Sequence, residues 1–466
     1  MNYLTQRFNK MTKTLAVVFV SVLALGFTAC NNDDDDMPEP AALSVAEAAI
    51  ATPQLSTLVS VLSKPALSDI LAAAGNDNAT LTVFAPTNAA FQGVLTALGL
   101  SSIDEIPEEV LLDIVKYHII GSVAKSSALQ SKQYETLNGE SVTVDLMGGV
   151  KVDGANVTTA DIEVSNGVVH IIDAVLLPSL YKSALGTIVE VPLFRKDYSI
   201  LTAALVKAEL VSTLLTDGPF TVFAPNNAAF AAAGITSLDG LSKEDFTPIL
   251  LYHVLGSKVL SSGLPSDGKV TTLSGAQNPN FYLSLGSEVF INGVSKITAI
   301  DIEKSNGVIH TIDRTLVPAS QTLVEIAVAL STANPGEFKT LVSILTDPSQ
   351  AAVLSAISDE DGSFTIFAPT DAAFAAISSV LPTLSNAQVS EVLKYHVVPA
   401  RIFSTDLTDG IEATTVKGEK IKVNLGADGA TITDKSGGAN AKIIQVNVLG
   451  VNGVIHVIDK VLIPTL

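Results

Sequence analysis

The chain has 466 residues, 47% hydrophobic and only 16% charged, with a net charge of −20, no Trp and a single Cys. This describes globular protein long enough for about three domains, and its acidity excludes nucleic-acid binding by phosphate neutralisation. One cysteine excludes an internal disulfide, Cys-ligated zinc and a thiol nucleophile in the body, and no later stretch approaches the ~18 apolar residues of a membrane-spanning helix.

At the N-terminus Arg7, Lys10 and Lys13 precede the apolar run "TLAVVFVSVLALGF" (14–27), which ends in the small residues "TAC" (28–30). A basic start, a short apolar stretch and a small-residue exit predict a secretory signal over residues 1–29. The placement of Cys30 after Ala29 resembles a bacterial lipoprotein signal, which implies that Cys30 becomes the lipidated first residue of the mature chain. An ordinary cleaved signal is the alternative. Residues 30–41 hold "NNDDDDMPEP" (31–40), too charged to bury anything and read as a solvated tether. Four aspartates in a row without glycine turns do not match a calcium loop. An acidic tract behind the cysteine resembles the surface-export signal of Bacteroidetes-type lipoproteins. That implies an outer-membrane lipoprotein of the bacterial cell envelope, facing the exterior.

The remainder is one unit written three times. "TVFAPTNAAF" (82–91), "TVFAPNNAAF" (221–230) and "TIFAPTDAAF" (365–374) mark one point. "YHII" (117–120), "YHVL" (252–255) and "YHVV" (395–398) mark a second, and "SNGVVHIID" (165–173), "SNGVIHTID" (305–313) and "VNGVIHVID" (451–459) a third. "VLLPSL" (175–180), "TLVPAS" (315–320) and "VLIPTL" (461–466) close the copies. This places domains at 42–180, 181–320 and 321–466, each large enough to own a core. Neither junction holds a Gly/Ser-rich linker, so closely spaced domains with restricted mutual motion are expected.

Within a unit, the spacing of apolar residues in "FRKDYSILTAALVKAELVSTLL" (194–215) predicts an amphipathic helix. "TVFAP" reads as a buried strand stopped by its proline. In Thr87-Asn88, Asn226-Asn227 and Thr370-Asp371, one member is expected to cap the helix that follows. "VKVDGANVTTADIEVSNGVVHIIDAVLL" (150–177) reads as successive strands turning at Asp153-Gly154 and Asn166-Gly167.

The three ordered blocks together resemble the fasciclin-like domain family, over essentially all of residues 42–466. The resemblance implies an α+β unit: a small β-sandwich or wedge of short strands with several helices packed on it. In adhesive members the Tyr-His pair and an Asp-Ile just before the Asn-Gly turn are implicated in partner recognition. Here these positions are Tyr117, His118, Asp161 and Ile162, then Tyr252, His253, Asp301 and Ile302, then Tyr395 and His396. The third copy reads Asn447-Val448 where the other two have Asp-Ile.

All six histidines belong to the repeats: His118, His170, His253, His310, His396 and His456. In a strand, residues three apart point to opposite faces, so His310 and Asp313 cannot readily address one substrate; the same holds for His170–Asp173 and His456–Asp459. No nucleophile accompanies them in all copies, because Ser165 and Ser305 become Val451. Two histidines per copy do not close a zinc site, so neither catalytic nor metal-binding residues are assigned and no cofactor is expected. The reading that follows is a non-enzymatic, lipid-anchored surface protein that binds an extracellular protein or glycan through tandem modules. A His/Asp hydrolase or metal enzyme and a passive spacer are the alternatives.

Overall fold

In a computed structural model, residues 42–265, 268–276 and 278–466 are described. The expected signal, Cys30 and the acidic tether lie outside them. Leu43–Leu466 forms one compact unit.

Repeat 1 builds a seven-stranded sheet from β1 (Leu81–Pro86), β2 (Ile119–Ile120), β3 (Gln133–Glu135), β4 (Ser141–Asp145), β5 (Lys151–Val152), β6 (Ala155–Val164) and β7 (Gly167–Ile172), in the order β2-β1-β7-β6-β5-β4-β3. Repeat 2 repeats this with β8 (Phe220–Pro225), β9 (Val254–Leu255), β10 (Lys269–Thr271), β11 (Asn280–Leu285), β12 (Val289–Ile291), β13 (Ser295–Lys304) and β14 (Gly307–Ile312). Repeat 3 does so with β15 (Phe364–Pro369), β16 (Val397–Val398), β17 (Glu412–Thr414), β18 (Lys420–Gly426), β19 (Gly429–Thr433), β20 (Ala441–Gly450) and β21 (Gly453–Ile458). Among the described strands, only the β1–β7 pair and its counterparts β8–β14 and β15–β21 are parallel. Each carries "FAP" against the histidine strand, with Phe84 opposite His170, Phe223 opposite His310 and Phe367 opposite His456.

β1 is buried along its whole length, as its unbroken apolar run requires, whereas β4 alternates exposed and buried. One side of the central strands packs against helices. On the other, Val142 and Val144 of β4 join Phe84 of β1 and Ile172 of β7 in one cluster, although three strands separate β4 from β1. The sheet therefore curls over this second core, giving the wedge-like α+β unit that the sequence implies.

Both members of the Thr/Asn pair after "FAP" act as caps. Thr87, Asn226 and Thr370 each accept a backbone N–H from their own helix, beginning at Asn88, Asn227 and Asp371. Asn88, Asn227 and Asp371 in turn accept the N–H of Thr57, Ile200 and Thr340, at the starts of the helices Ser56–Leu62, Ser199–Lys207 and Lys339–Leu345.

Two sequence expectations change. The helix expected over 194–215 is broken: it runs Ser199–Lys207, stops at Glu209, whose φ is +57°, and resumes over Val211–Leu214. The apolar spacing continues through the break because both pieces pack into the same core. The second hairpin turn lies one residue earlier than expected. Val164 pairs with Gly167, so Ser165-Asn166 form the turn and the glycine opens β7. Its lack of a side chain serves packing, since a Cβ there would lie 1.9 Å from the carbonyl oxygen of Leu81. The Asp153-Gly154 turn is as expected, with φ of +46° and +90°.

Asn166, freed from the turn's corner, is buried and makes three backbone bonds. Its Oδ1 accepts from Val45 N at 2.9 Å, and its Nδ2 donates to Ala74 O at 2.9 Å and Asn76 O at 3.1 Å. Asn306 does the same with Ile188, Leu214 and Thr216, and Asn452 with Leu323, Ile357 and Asp359. One side chain thus ties the entry of each repeat and the end of a helix to the hairpin tip.

Repeats 1 and 2 share a continuous core from Val45 to Ile309. The helices Ser179–Ala184 and Glu190–Phe194 join them: Tyr181 packs on Phe194 with ring centroids 5.8 Å apart and donates to Asp113 at 3.0 Å. The main helical core of repeat 3 is a separate cluster. No described helix is long and apolar enough to cross a membrane.

Replacing Asn306 by Ala strands one buried N–H and two carbonyls, and a loss of about 3 kcal/mol is expected at ~1 kcal/mol or more for each group. Guanidinium titration of the 42–466 chain should show that loss in the transition that repeats 1 and 2 undergo together. A transition in which repeat 2 alone melts early would contradict the shared core.

Candidate functional site

Three sequence motifs meet at one place in each repeat. The loop after β2 lays its backbone across the edge of the sheet, and three side chains fasten it. In repeat 1, Thr82 Oγ1 donates to Ser122 O at 2.6 Å and accepts from Ala124 N at 2.8 Å. His170 Nε2 lies 2.9 Å from Ala124 O, and Asp161 N–H donates to His170 Nδ1 at 3.2 Å. The Asp161 carboxylate accepts both the N–H of Ser126, at 2.7 Å, and its hydroxyl.

Repeat 2 has the same knot in Thr221, His310, Asp301 and Ser261. Val259 O lies 3.0 Å from His310 Nε2, and Ser261 donates to Asp301 at 2.7 and 2.5 Å. Repeat 3 has it in Thr365, His456, Asn447 and Ser404, with Asn447 Oδ1 accepting from Ser404 N at 2.8 Å.

The choice of Asp or Asn has a backbone reason. Each sits at a bulge where the pairing of the histidine strand slips, with φ of +59° at Asp161, +56° at Asp301 and +60° at Asn447. Asp and Asn are among the few residues that tolerate this left-handed conformation. Hydrogen bonds from Ser126 and Ser261 hold the Asp161 and Asp301 carboxyls below the usual carboxylate range. Both reach solvent, with side chains 32% and 33% exposed, and Ile162 and Ile302 beside them are half-buried.

The Tyr-His pairs lie inside the fold. Tyr117, Tyr252 and Tyr395 are buried, with hydroxyls bound to the sheet at Asp153 and Ser141, at Asn280, and at Lys420. His118, His253 and His396, also buried, lie at or just past the ends of the preceding helices. Nδ1 of each faces a carbonyl one turn back (Ile114, Ile249 or Val392) at 2.7–2.8 Å, and Nε2 receives the N–H of Leu176, Leu316 or Leu462 at 2.9 Å. All six side chains are 5% exposed or less. Among the described sequence-predicted candidates, Asp161, Ile162, Asp301 and Ile302 alone are not buried.

The bonding fixes every imidazole as neutral. A carbonyl only accepts and a backbone N–H only donates, so His118, His253 and His396 carry their proton on Nδ1, and His170, His310 and His456 carry it on Nε2. All ring nitrogens are thereby occupied. The aspartates three residues on bind elsewhere: Asp173, Asp313 and Asp459 accept the N–H of Asn156, Lys296 and Lys442. Among the described residues no three His, Cys, Asp or Glu side chains gather as a metal site would require.

The knot's threonine escaped the sequence reading. Its signal was a hydroxyl repeated at one position of an otherwise apolar strand, where a buried oxygen must find partners.

Burial pushes His118, His253 and His396 down from the usual 6.5 to about 4. Because the folded value lies below the unfolded one, their stabilisation is complete above pH 6.5 and is lost as pH falls toward 4. The loss is about 3 kcal/mol per histidine at most. Nitrogen-15 spectra of these three imidazoles should show Nδ1–H neutral rings at pH 5 in the folded chain. Titration near 6.5 in the folded state would contradict the burial.

The fasciclin domain family model matches residues 53–178, 196–318 and 336–464. The chain is similar to human periostin, 30% identical over 420 residues, covering 85% of this chain and 45% of that protein. It is also similar to transforming growth factor-beta-induced protein ig-h3 of Sus scrofa, 26% identical over 395 residues, covering 83% and 53%. Protein sll1483 of Synechocystis is 40% identical over 136 residues, covering 28% of this chain and 73% of its own length. The chain thus spans about half the length of the first two relatives. With three successive matches in register with three equivalent polar knots, it belongs to the fasciclin domain family.

Proposed function

We propose that the chain is a non-enzymatic surface protein, anchored by lipid at Cys30, that binds an extracellular protein or glycan through its fasciclin modules. The observation that supports this reading is the occupancy of the histidines. Each of the six uses both ring nitrogens to hold backbone, so the residues best suited to acid–base chemistry are committed to architecture. What the repeats offer outward at the knot is an ionised carboxylate beside a half-buried isoleucine: Asp161-Ile162 in repeat 1 and Asp301-Ile302 in repeat 2. A fixed anion with an apolar neighbour suits a partner that brings hydrogen-bond donors or a cation next to an aliphatic surface. Tyr117, His118, Tyr252, His253, Tyr395 and His396 act in this reading as internal supports of the fold.

A surface-plasmon screen of the 42–466 chain over immobilised extracellular matrix proteins and glycans tests the binding. Asp161→Asn combined with Asp301→Asn keeps the bulge conformation and should weaken the response by about tenfold or more, through lost charge pairing. An undiminished response would place binding elsewhere. Metabolic labelling with a lipid precursor should mark the wild-type chain and not Cys30→Ala; label absent from both would remove the anchor.

A further inference from the structure

Among the positions where repeat 3 departs from its siblings in the knot loop and bulge, three point at repeat 2. Arg401 stands where repeats 1 and 2 have Val123 and Lys258, Phe403 where they have Lys125 and Leu260, and Asn447 where they have Asp161 and Asp301. The Arg401 guanidinium lies 4.1 Å from the ring centre of Tyr282 in β11 and holds the carbonyls of Gly450, Val451 and Gly453 in its own repeat. Phe403 is buried and lies over Gly293, where a Cβ would come within 2.6 Å of it. Asn447 Nδ2 donates to Gly293 O at 2.8 Å and to Ser404 Oγ at 2.7 Å. Thr405 donates to Ser284 at 2.8 Å, and Asn278 reaches Val451 O at 3.4 Å.

Repeat 2 is altered to match. The buried tyrosine hydroxyl marks equivalent positions, bonding Ser141 O in repeat 1 and Asn280 O in repeat 2. Counting from there, Tyr282 and Ser284 replace the exposed Thr143 and Asp145 of repeat 1. An arginine-stacking ring and a neutral hydroxyl thus occupy β11 where repeat 1 keeps a threonine and an exposed carboxylate. The decisive atom is Nδ2 of Asn447. An aspartate there keeps the bulge and the serine contact, as repeats 1 and 2 show, but turns lone pairs toward the Gly293 carbonyl.

We propose that repeat 3 is a docked module. The face that repeats 1 and 2 hold open around Asp161 and Asp301 is, in repeat 3, the surface that seats the β11–β13 region of repeat 2, and the Asp-to-Asn exchange makes that seating possible. The docking is within the chain and holds whether or not the acidic faces meet a partner. It withdraws this face of repeat 3 from any outside ligand.

The test uses the 42–466 chain, which lacks the only cysteine. Spin labels are placed at Glu244→Cys in repeat 2 and Asp428→Cys in repeat 3, both exposed. Pulsed electron resonance should give one narrow distance distribution. Asn447→Asp should broaden it and raise the undocked population about tenfold, the effect of an unpaired buried acceptor at an interface. Tyr282→Ala, altered from the other side, removes the ring beneath Arg401 and should broaden it as well, with circular dichroism unchanged. Asp301→Asn serves as control and should leave it narrow. A narrow distribution in Asn447→Asp, or equal broadening in Asp301→Asn, would overturn the proposal.

Discussion

Each repeat hangs on the tip of the hairpin that leads into its histidine strand. At Gly167, Gly307 and Gly453 a Cβ would lie 1.9–2.2 Å from the carbonyl oxygen of Leu81, Phe220 or Phe364. Only bare backbone lets the two central strands pair in parallel from their first residue. The asparagine one position earlier then gathers three backbone groups from two other segments. A parallel pair has no tight turn to set its register; here a steric constraint and a fully bonded amide set it together. With the register fixed, Phe84, Phe223 and Phe367 come to lie against His170, His310 and His456 at ring separations of 5.3–5.6 Å.

The histidines follow from that register. One set sits between a helix carbonyl and a backbone N–H at the end of the repeat, the other between a loop carbonyl and a bulge N–H. In both, one nitrogen must donate and the other accept, which only the neutral ring can do. Protonation would turn the accepting nitrogen into a second donor facing an N–H. His118, His253 and His396 behave as polar struts whose integrity depends on pH, because their burial enforces the charge state that the bonding needs.

Much of this was legible in the sequence because it is local. The strand ending at its proline, the caps behind it and the Asp153-Gly154 turn all rest on neighbours within a few residues. What escaped depended on distant partners. The Asn-Gly pair was misplaced by one residue because its glycine answers to β1, more than eighty residues away in the chain. The 194–215 helix read as continuous because both of its pieces bury the same apolar stripe, and only Glu209's backbone shows the break. Thr82 looked like strand filler until the loop it fastens was in view. The Asp-Ile positions were visible, but the bulge that explains their acid or amide was not.

The loss of the acid at Asn447 reads, from sequence alone, as decay of a motif. In the structure it is one of several matched changes on two facing surfaces, and that alters how tandem copies are understood. Modules joined by flexible linkers gain avidity through a broad effective concentration that tolerates many ligand spacings. Here repeats 1 and 2 share a core and repeat 3 lies against repeat 2, so Asp161 and Asp301 stand at a fixed separation. Any partner engaging both must match that spacing, and one that does meets them without the ordering cost that a flexible pair would carry. Rigidity of this kind exchanges tolerance for selectivity, and the third copy contributes to it through contacts that its siblings, holding an acid at the same position, are not built to make.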